Sequence, residues 1–490
     1  MQKRPWIIAG LSSIALLCAT TVPAFAAEIP EPHYPSDNQK VTITWWTWTA
    51  NADKVIAAFN QKYPNIKVLH PLIGAGAAEY NKLTTAIKAG TGAPDVVQIE
   101  YQYLPKFIDT NGLLNIAPYV KQYESSFQPW TWQQSSRGDA VYAIPEDIGP
   151  LAMFYRTSVF QKYHLPMPKT WAQFAADAKQ LHKEAPSEYL TYFPVTDGGL
   201  ITGLLWQSGA QLFQYTSNGW KIDLNSPKAK QVMNYWGNLV KEGVIPATND
   251  GTPAFQSDLG SGKYAVMLNG AWAPAYSIEP YVRPNTNDWH AADIPQWSST
   301  GPFVDGNNGG STNAVTTQSK HPDAAALFAA WINTSQAGEL LDVTDIGHGG
   351  RGQVPANKYG TQLPQFNAPN PSLDGQNPAP VFIKASKAVN TSFQWSPWTD
   401  YVYNQMTIEF TKAAAGQETW DQALDNLQHS VVVFAESMGY KVVSNGAQAD
   451  KSGPASSFWS EVNSPGLYVV VVLALLTGCT VIIRRSKTYS

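Results

Sequence analysis

The stretch Ala143–Trp171 reads AIPEDIGPLAMFYRTSVFQKYHLPMPKTW and contains an acidic turn, an apolar strand and the start of a helix. Glu146 and Asp147 precede the dipeptide Gly149-Pro150, and Gly-Pro pairs mark turns. An apolar run ending in Phe-Tyr-Arg follows, and then an amphipathic segment. Thr170, with a glutamine three positions later, predicts a capping box at the start of a new helix. The stretch therefore predicts a strand between an acidic turn and a helical region.

The chain before this stretch alternates between strand and helix patterns. The predicted elements are a strand over Val41–Trp48, a helix capped by Asn51 and stopped by Pro64, a strand over Ile66–Leu72, a helix over Glu79–Ala89 and a strand over Pro94–Glu100. This alternation is typical of a parallel sheet covered by helices on both faces, so we expect an α/β fold.

Aromatic and acidic side chains follow the predicted strands. In open α/β sheets, ligands bind beyond the carboxyl ends of the strands. Trp48 and Glu100 lie at two such ends, so both are candidate ligand-binding residues. Trp45 shares a strand face with Val41 and Ile43, and we expect it in the core.

The chain after the opening stretch has further helix and strand patterns. The predicted elements are helices from Thr170 to about Lys183, over Lys228–Lys241, His321–Trp331, Asp400–Ala413 and Gln417–Met438, and strands over Gly262–Met267 and Thr312–Gln318. The Pro- and Asn-rich segment Pro364–Ser372 predicts a loop.

The N-terminus has the pattern of a secretory signal peptide. Lys3 and Arg4 precede an apolar run over Trp6–Leu17, and Ala24–Ala26 forms a small-residue cleavage site. We therefore expect a signal peptide over residues 1–26 and a polar, Pro-rich linker over residues 27–40.

The C-terminus has the pattern of a membrane anchor. Leu467–Ile483 is an uninterrupted apolar or small stretch, near the lower limit of about 17 residues for a spanning helix. Arg484 and Arg485 follow it, which predicts a cytoplasmic tail over residues 484–490. A buried C-terminal helix is the alternative. Residues 445–466 are rich in Gly and Ser and predict a flexible tether.

The composition narrows the class of partner. Charged residues make up 14% of the chain, against an average near 25%, and the formal net charge is −4, so a nucleic-acid partner is disfavoured. The only two cysteines, Cys18 and Cys479, lie in the terminal apolar segments, so we expect no intramolecular disulfide. The chain has 18 Trp and 23 Tyr, which favours a ligand recognised by stacking.

Common enzyme motifs are missing from the sequence. Residues 74–79 fail the dinucleotide-binding fingerprint, because Glu79 stands where the last small residue belongs. There is no phosphate-binding loop, no zinc-ligand pattern and no nucleophile-elbow motif. We therefore predict a non-enzyme without cofactor or metal. Glu146, Asp147 and Glu100 keep one rival open, a glycoside hydrolase with a pair of catalytic carboxyls.

Several segments together resemble the extracellular solute-binding proteins of carbohydrate ABC importers, in particular the branch related to maltose-binding proteins. The segments are TITWWTW, GAPDVVQIE, AIPEDIGPLAMFYR, PKTWAQF, SGKYAVMLNGAWAP, GNNGGSTNAVTTQSKHPDAAALFAAWINTS and WDQALDNLQHSVVVFAESMGY, spread between Val41 and Val443. The resemblance implies two α/β lobes of the type II periplasmic-binding-protein fold, joined by crossings near Ile148, Phe303 and His348. Lobe 1 would comprise residues 41–147 and 304–348, and lobe 2 residues 148–303 and 349–444.

The resemblance also implies ligand-binding residues. Trp272, in NGAW, matches the family's stacking tryptophan; a core tryptophan is the alternative. Asp147 matches the acid that hydrogen-bonds sugar hydroxyls, with Glu146 as its possible substitute and a turn-capping role as its alternative. Asn308 stands where relatives often carry an aromatic residue and can still hydrogen-bond a hydroxyl.

Four further residues are candidates by their position relative to the family. Trp206 lies where relatives place a helix near the cleft, with burial in the core as the alternative. Trp395 and Trp398 lie where relatives often bring a late aromatic to the second lobe, with a structural turn as the alternative. Arg351 lies near the third crossing, where a hinge loop needs only the glycines around it.

The function implied is that of a sugar receptor. The expected partners are a mono- or oligosaccharide, the permease subunits of the importer and the membrane, which the C-terminal helix would enter; we expect a monomer. The expected location is the extracellular face of the cell membrane. A glycoside hydrolase and a carbohydrate sensor or adhesin that does not transport are the alternatives.

Overall fold

The computed structural model describes residues 40–282 and 287–443. The predicted signal peptide, C-terminal tether and membrane segment lie outside the described residues. In the described part, no helix has the length and apolar character needed to cross a membrane.

The N-terminal third forms a first lobe. Its elements are β1 (Val41–Trp46), α1 (Ala52–Lys62), β2 (Ile66–Leu69), α2 (Ala77–Ala89), β3 (Val96–Glu100), α3 (Leu104–Asp109), α4 (Ala117–Val120), α5 (Pro129–Gln134), β4 (Ser136–Arg137), β5 (Ala140–Val141) and β6 (Ala143–Pro145). The first five confirm the alternation expected from the sequence. Trp45 is fully buried, as its face of β1 predicts.

Asn51 differs from its prediction as a helix cap. Its side chain makes no capping hydrogen bond to α1, and its φ angle is 53°. The side-chain amide instead donates to the carbonyl oxygens of Gly350 at 2.7 Å and Ile346 at 3.2 Å. Asn51 therefore ties the start of α1 to a distant loop, and the left-handed backbone conformation that asparagine tolerates permits this turn.

The middle third forms most of a second lobe. Its elements are β7 (Leu151–Arg156), α6 (Thr157–Lys162), α7 (Trp171–Glu184), β8 (Phe193–Pro194), α8 (Gly198–Gln207), β9 (Phe213–Thr216), β10 (Gly219–Ile222), α9 (Pro227–Lys241), β11 (Ala247–Thr248), α10 (Pro253–Gly260), β12 (Val266–Gly270), α11 (Glu279–Tyr281) and β13 (Trp289–Asp293). Thr170 caps α7 as predicted, accepting from the backbone N–H of Gln173 at 3.2 Å. The Gln173 side chain accepts from Lys169 instead of Thr170, so the predicted capping box is only half formed.

The last third contributes to both lobes. Its elements are β14 (Ser311–Val315), α12 (Pro322–Thr334), α13 (Gln336–Val343), α14 (Ala379–Ala388), α15 (Thr399–Ala414), α16 (Trp420–Ser437) and β15 (Val442–Val443). α16 begins with a complete capping box between Thr419 and Gln422. Helices α15 and α16 pack together and against the second lobe, through α8 and α9.

Each lobe is built around its own sheet. The first has the strand order β2-β1-β3-β14-β6, in which β1 is parallel to β2 and β3, and β14 is antiparallel to β3 and β6. The second has the antiparallel order β12-β7-β13, and the described residues form three further sheets of two or three strands. Ser311, the first residue of β14, pairs with Glu100, the last of β3. The carboxyl end of β3 thus meets the point where the chain re-enters the first lobe.

Three crossing segments join the lobes and pair side by side. Ile148 donates to the carbonyl of Val354 at 2.8 Å, and Asn308 donates to the carbonyl of Gly149 at 2.7 Å. Further backbone bonds join Leu151 to Gly306, Ala356 to Glu146 and Glu146 to Ser311. We call residues 146–151, 306–311 and 354–356 the crossing ribbon. Its central segment is the acidic turn with which the sequence analysis began.

Candidate functional site

A cavity of about 520 Å³ lies between the two lobes, against the crossing ribbon. We call it the cleft cavity. Its lining residues are Trp48, Glu100, Gln102, Tyr103, Asp147, Thr196, Asp197, Gly198, Gly199, Trp272, Tyr276, Asn308, Gly309, Gly310, Ser311, Gln353, Tyr403, Asn404 and Thr407. They come from both lobes and from the ribbon, so a ligand in this cavity would contact both lobes at once.

Two half-buried tryptophans stand in the cavity wall. Trp272 follows β12 directly, and its indole Nε1–H donates to the carbonyl oxygen of Asn308 at 2.8 Å. This contact needs a glycine at position 149, since a Cβ there would lie 1.9 Å from that oxygen and 2.8 Å from the indole nitrogen. Trp48 packs edge-on against Tyr80, with ring centroids 6.0 Å apart. Both rings are therefore held in fixed orientations.

Three carboxyl groups face the cavity, each held by hydrogen bonds. Glu100 accepts from the Tyr80 hydroxyl at 3.0 Å and from the Gln102 amide at 2.9 Å. Asp147 accepts from the backbone N–H of Ser311 at 2.7 Å. Asp197 caps α8 by accepting from the backbone N–H of Leu200 at 2.9 Å.

Burial raises the pKa of all three cavity carboxyls. It is the largest cause for Glu100 and Asp197, and it raises the pKa of Asp147 well above its usual range, with the neighbouring charge of Glu146 adding to the effect. Among the residues that the structure describes, no lysine or arginine lines the cleft cavity. An anionic ligand would therefore meet only acidic groups, whereas an uncharged ligand with hydroxyl donors fits these acceptors.

Two amide oxygens add acceptor capacity. Within residues 40–282 and 287–443, the Oε1 atoms of Gln102 and Gln353 are buried and accept no hydrogen bond. Both side chains line the cleft cavity. An unpaired buried acceptor costs about 1–3 kcal/mol, so a hydroxyl donor brought in by a ligand would relieve that cost.

Five of the nine predicted site residues lie together at the cleft cavity. They are Trp48, Glu100, Asp147, Trp272 and Asn308. The Asn308 side chain donates to Asn269 Oδ1 at 3.0 Å, and its carbonyl oxygen holds Trp272. Asn308 therefore helps to orient the tryptophan as well as lining the wall.

The structure places the other three predicted tryptophans away from the cleft cavity. Trp206 is fully buried and stacks on Phe393, with ring centroids 4.3 Å apart. It belongs to α8, of which only the first two residues, Gly198 and Gly199, line the cleft cavity. Trp398 packs against Tyr440 at 4.8 Å, and Trp395 lines a different cavity.

Arg351 lies in a buried ion cluster and not in the cleft cavity. Its guanidinium pairs with Glu146 at 2.5 Å and with Asp342 at 2.9 Å, and all three side chains are at most 2% exposed. Asn313 donates to the other carboxylate oxygen of Glu146 at 2.8 Å. We call Arg351, Glu146 and Asp342 the hinge cluster, since through Arg351 it joins Glu146 of the crossing ribbon to Asp342 of α13. The predicted place of Arg351 in the cleft does not agree with this geometry, because two buried carboxylates hold its side chain elsewhere.

Several lining residues were missed by the sequence analysis. Asp197 precedes two glycines and an apolar run, the pattern of a helix N-cap, and that signal could have placed it at the start of α8. The sequence around Tyr403 contains no such signal. It reaches the cavity because α15 packs on α8, where a Cβ on Gly198 would come within 2.5 Å of the Tyr403 ring.

Metal-binding groups were searched for in the same part of the chain. Among the described residues, no group of three or more His, Cys, Asp or Glu side chains could hold a metal ion.

The family model of the bacterial extracellular solute-binding protein matches residues 45–339 of this chain. The arabinooligosaccharide-binding protein of Bacillus subtilis (strain 168) is 22% identical over 308 residues, covering 60% of this chain and 70% of that protein. The lactose-binding protein of Rhizobium radiobacter is 25% identical over 338 residues, covering 66% of this chain and 74% of that protein.

Solved structures share the fold. The ABC transporter associated binding protein from B. animalis subsp. lactis Bl-04, solved in complex with beta-1,6-galactobiose, is 26% identical, with a TM-score of 0.72. The match covers 83% of this chain and 100% of that chain. The two-lobe α/β architecture of this chain is therefore shared with these proteins.

Proposed function

Because this chain belongs to the bacterial extracellular solute-binding proteins, we propose that it is the substrate receptor of an ABC-type importer and binds an uncharged mono- or oligosaccharide in the cleft cavity. The observation that carries the ligand class is the lining of the cavity. Two tryptophans stand there beside carboxyl and amide acceptors, and no lysine or arginine is among the lining residues that the structure describes. The named sugar-binding relatives support the same class.

Recognition divides between stacking and hydrogen bonding. Trp272 and Trp48 offer aromatic faces to the apolar C–H side of a pyranose ring, whose desolvation supplies most of the affinity. Asp147, Glu100 and Asp197 accept hydrogen bonds from hydroxyls and fix the orientation of the sugar. Among the described residues, three tyrosines add further aromatic surface to the wall: Tyr103, Tyr276 and Tyr403.

Closure of the lobes follows from the position of the cavity. A ligand there touches Trp48 and Glu100 of the first lobe and Trp272 and Asp197 of the second. It therefore stabilises the closed arrangement by the contacts that only this arrangement provides. The permease would recognise the closed receptor and take the sugar from it.

The hinge cluster removes Glu146 from the carboxyls that the rival glycoside hydrolase could use, while Asp147 and Glu100 remain in the cavity wall. Glu146, one acid of the rival's proposed pair, is ion-paired with Arg351 and does not line the cleft cavity. Its hydrogen bond from Asn313 occupies the second carboxylate oxygen. These contacts support a structural use of Glu146, and the sugar-release assay below decides whether the remaining carboxyls catalyse hydrolysis.

The proposal includes export and anchoring. The signal-peptide pattern of residues 1–26 and the apolar stretch of residues 467–483 support a receptor held at the outer face of the membrane. We also propose lobes that comprise residues 41–147 with 304–348 and residues 148–303 with 349–444. Protease accessibility of the tail on intact cells tests the anchor.

The function is tested by titrating the purified protein with a panel of neutral sugars. Calorimetry and tryptophan fluorescence should show saturable binding of at least one of them, while chromatography of the same mixtures shows the sugar unchanged after prolonged incubation. Glucuronic and galacturonic acids serve as matched anionic controls and should not bind. If the wild-type protein released reducing sugar and Asp147→Asn did not, the protein would be a glycoside hydrolase instead.

A further inference from the structure

A second cavity, of about 650 Å³, lies between other parts of the two lobes. Its lining residues are Pro105, Ile108, Asp109, Gln133, Gln134, Ser136, Arg137, Tyr215, Ser217, Asn218, Gly219, Trp220, Phe393, Gln394, Trp395, Gly439, Tyr440 and Lys441. In the described part of the chain it shares no lining residue with the cleft cavity. We propose that this second cavity is an additional binding site for an uncharged saccharide, separate from the site in the cleft.

The second cavity combines aromatic and amide side chains. Tyr215 is 65% exposed, a large fraction for an aromatic residue, and its ring centroid lies 5.3 Å from that of Trp220. Trp395 and Tyr440 contribute further aromatic surface from the second lobe. An exposed tyrosine in a concave wall offers a stacking face to a sugar ring, and the amides of Gln133 and other lining residues offer donors and acceptors to its hydroxyls.

An unpaired hydroxyl supports a polar occupant. Among the described residues, Ser136 Oγ is one of the buried polar atoms without a hydrogen-bond partner, and it belongs to the wall of this cavity. Leaving such a group unpaired costs about 1–3 kcal/mol, and a ligand hydroxyl that reaches it after a side-chain rotation would relieve part of that cost. An apolar occupant would leave the cost in place.

Two of the three charged residues that the structure describes in the wall, Arg137 and Asp109, are paired with each other. Arg137 pairs with Asp109 at 2.6 Å, and the other oxygen of Asp109 accepts from the Tyr440 hydroxyl at 3.0 Å. The carboxylate is therefore already paired on both oxygens. The third charged residue, Lys441, is exposed and could pair with an anionic ligand, whereas a neutral sugar would use the aromatic and amide side chains of the wall.

An occupant of the second cavity would couple to closure of the cleft. The lobes touch across this cavity, through Trp395 Nε1–H donating to Gln134 at 3.2 Å and through Tyr440 donating to Asp109. A sugar that contacts both sides stabilises the same lobe arrangement that a cleft ligand stabilises. Each site should then bind more tightly when the other is filled, because such coupling is reciprocal.

The test is the number of sugars bound by the full-length protein. Native mass spectrometry and calorimetry with lactose, maltose, cellobiose and beta-1,6-galactobiose should show two binding events per chain for at least one of them. Tyr215→Ala should weaken one event at least about fivefold and leave the other within about twofold. Trp272→Ala should weaken the other event, and Tyr359→Ala, which removes a tyrosine that is 41% exposed and lines neither cavity, should change neither.

The outcomes separate this inference from the proposed function. One binding event, lost in Trp272→Ala and unchanged in Tyr215→Ala, overturns the second site and leaves the receptor function standing. No binding of any sugar to the wild-type protein overturns both. Because Tyr215 is exposed, its replacement should leave the unfolding transition unchanged, and circular dichroism of the variant checks that.

Discussion

Glu146 and Asp147 are neighbours on the same crossing segment, yet their carboxyl groups lie in opposite surroundings. Glu146 is paired with Arg351 inside the hinge cluster, whereas Asp147 lines the cleft cavity and receives only a backbone N–H there. Successive side chains of an extended segment point to opposite faces. One segment therefore serves stability on one face and ligand binding on the other.

Removal of Arg351 should give the largest effect, and it acts on stability. In Arg351→Met, Glu146 and Asp342 remain buried without their cation, so we expect a loss of about 3–5 kcal/mol of unfolding free energy at pH 8. The loss should be smaller at pH 5, because carboxyls of raised pKa can then take up protons. Urea unfolding measures it, with Arg137→Met, which breaks a half-exposed pair, as a control that loses under about 1 kcal/mol. Equal losses of unfolding free energy in Arg351→Met and Arg137→Met would contradict the stabilising role that we assign to the Glu146 face of the segment.

Removal of the Trp272 side chain should act on binding. Trp272→Ala deletes a stacking face of the cleft cavity, so we expect Kd for the sugar to rise at least tenfold, or about 1.4 kcal/mol. Trp272→Phe keeps a ring but loses the hydrogen bond to Asn308, and it should fall between wild type and alanine. Calorimetry gives both values. An unchanged Kd in the alanine variant would remove the stacking role.

Replacing Glu146 and Asp147 each by its amide compares the two neighbouring residues directly. Asp147→Asn should weaken sugar binding by about three- to tenfold, because a neutral amide oxygen is the weaker acceptor, and should leave the free energy of unfolding within about 1 kcal/mol. Glu146→Gln should do the reverse, lowering stability because Arg351 loses a charged partner, with little change in Kd. Calorimetry and urea unfolding on both variants decide this. If both substitutions changed the same property, the segment would not divide the two roles.

The smallest effect concerns Glu79, which belongs neither to the hinge cluster nor to the cleft cavity. It tests whether burial alone can raise the pKa of a carboxyl group in this protein. Burial raises the pKa of Glu79 to about 8, and the side chain is fully buried in α2. A raised carboxyl pKa means that stability present below about pH 4.5 is lost as the pH rises toward 8. Glu79→Gln should therefore raise Tm by a few degrees at pH 8.5 and hardly change it at pH 5. Thermal unfolding at both pH values measures it, and an equal change at the two values would contradict the assignment.

Local patterns predicted much of the fold. The strand and helix order of residues 41–100 follows from the periodicity of apolar residues, and the start of α7 follows from its cap. Asn51 shows the limit of this reasoning. Its side chain bonds to a loop about 300 positions later in the chain, which no local pattern reveals.

The site could be predicted where a side chain follows a strand end or a turn. Trp48 and Glu100 stand at strand ends and line the cleft cavity, whereas Asp147 was predicted from the family resemblance and lines it too. Arg351 could not be placed, because a glycine-flanked loop does not indicate toward which partner a long side chain turns. Tyr403 could not be found either, because its position depends on how α15 packs against α8.

The side-by-side pairing of the crossing ribbon limits the motion open to the lobes. Sliding one segment along another would break the bonds of Ile148 to Val354 and of Asn308 to Gly149, whereas a bend shared by all three segments preserves them. The relative motion is thus a rotation with almost no sideways offset. The cleft can change its opening angle but not the alignment of its two walls. A long oligosaccharide must then extend out through the mouth of the cleft, and we expect chain length to be discriminated by rim residues such as Asn404 and Thr407.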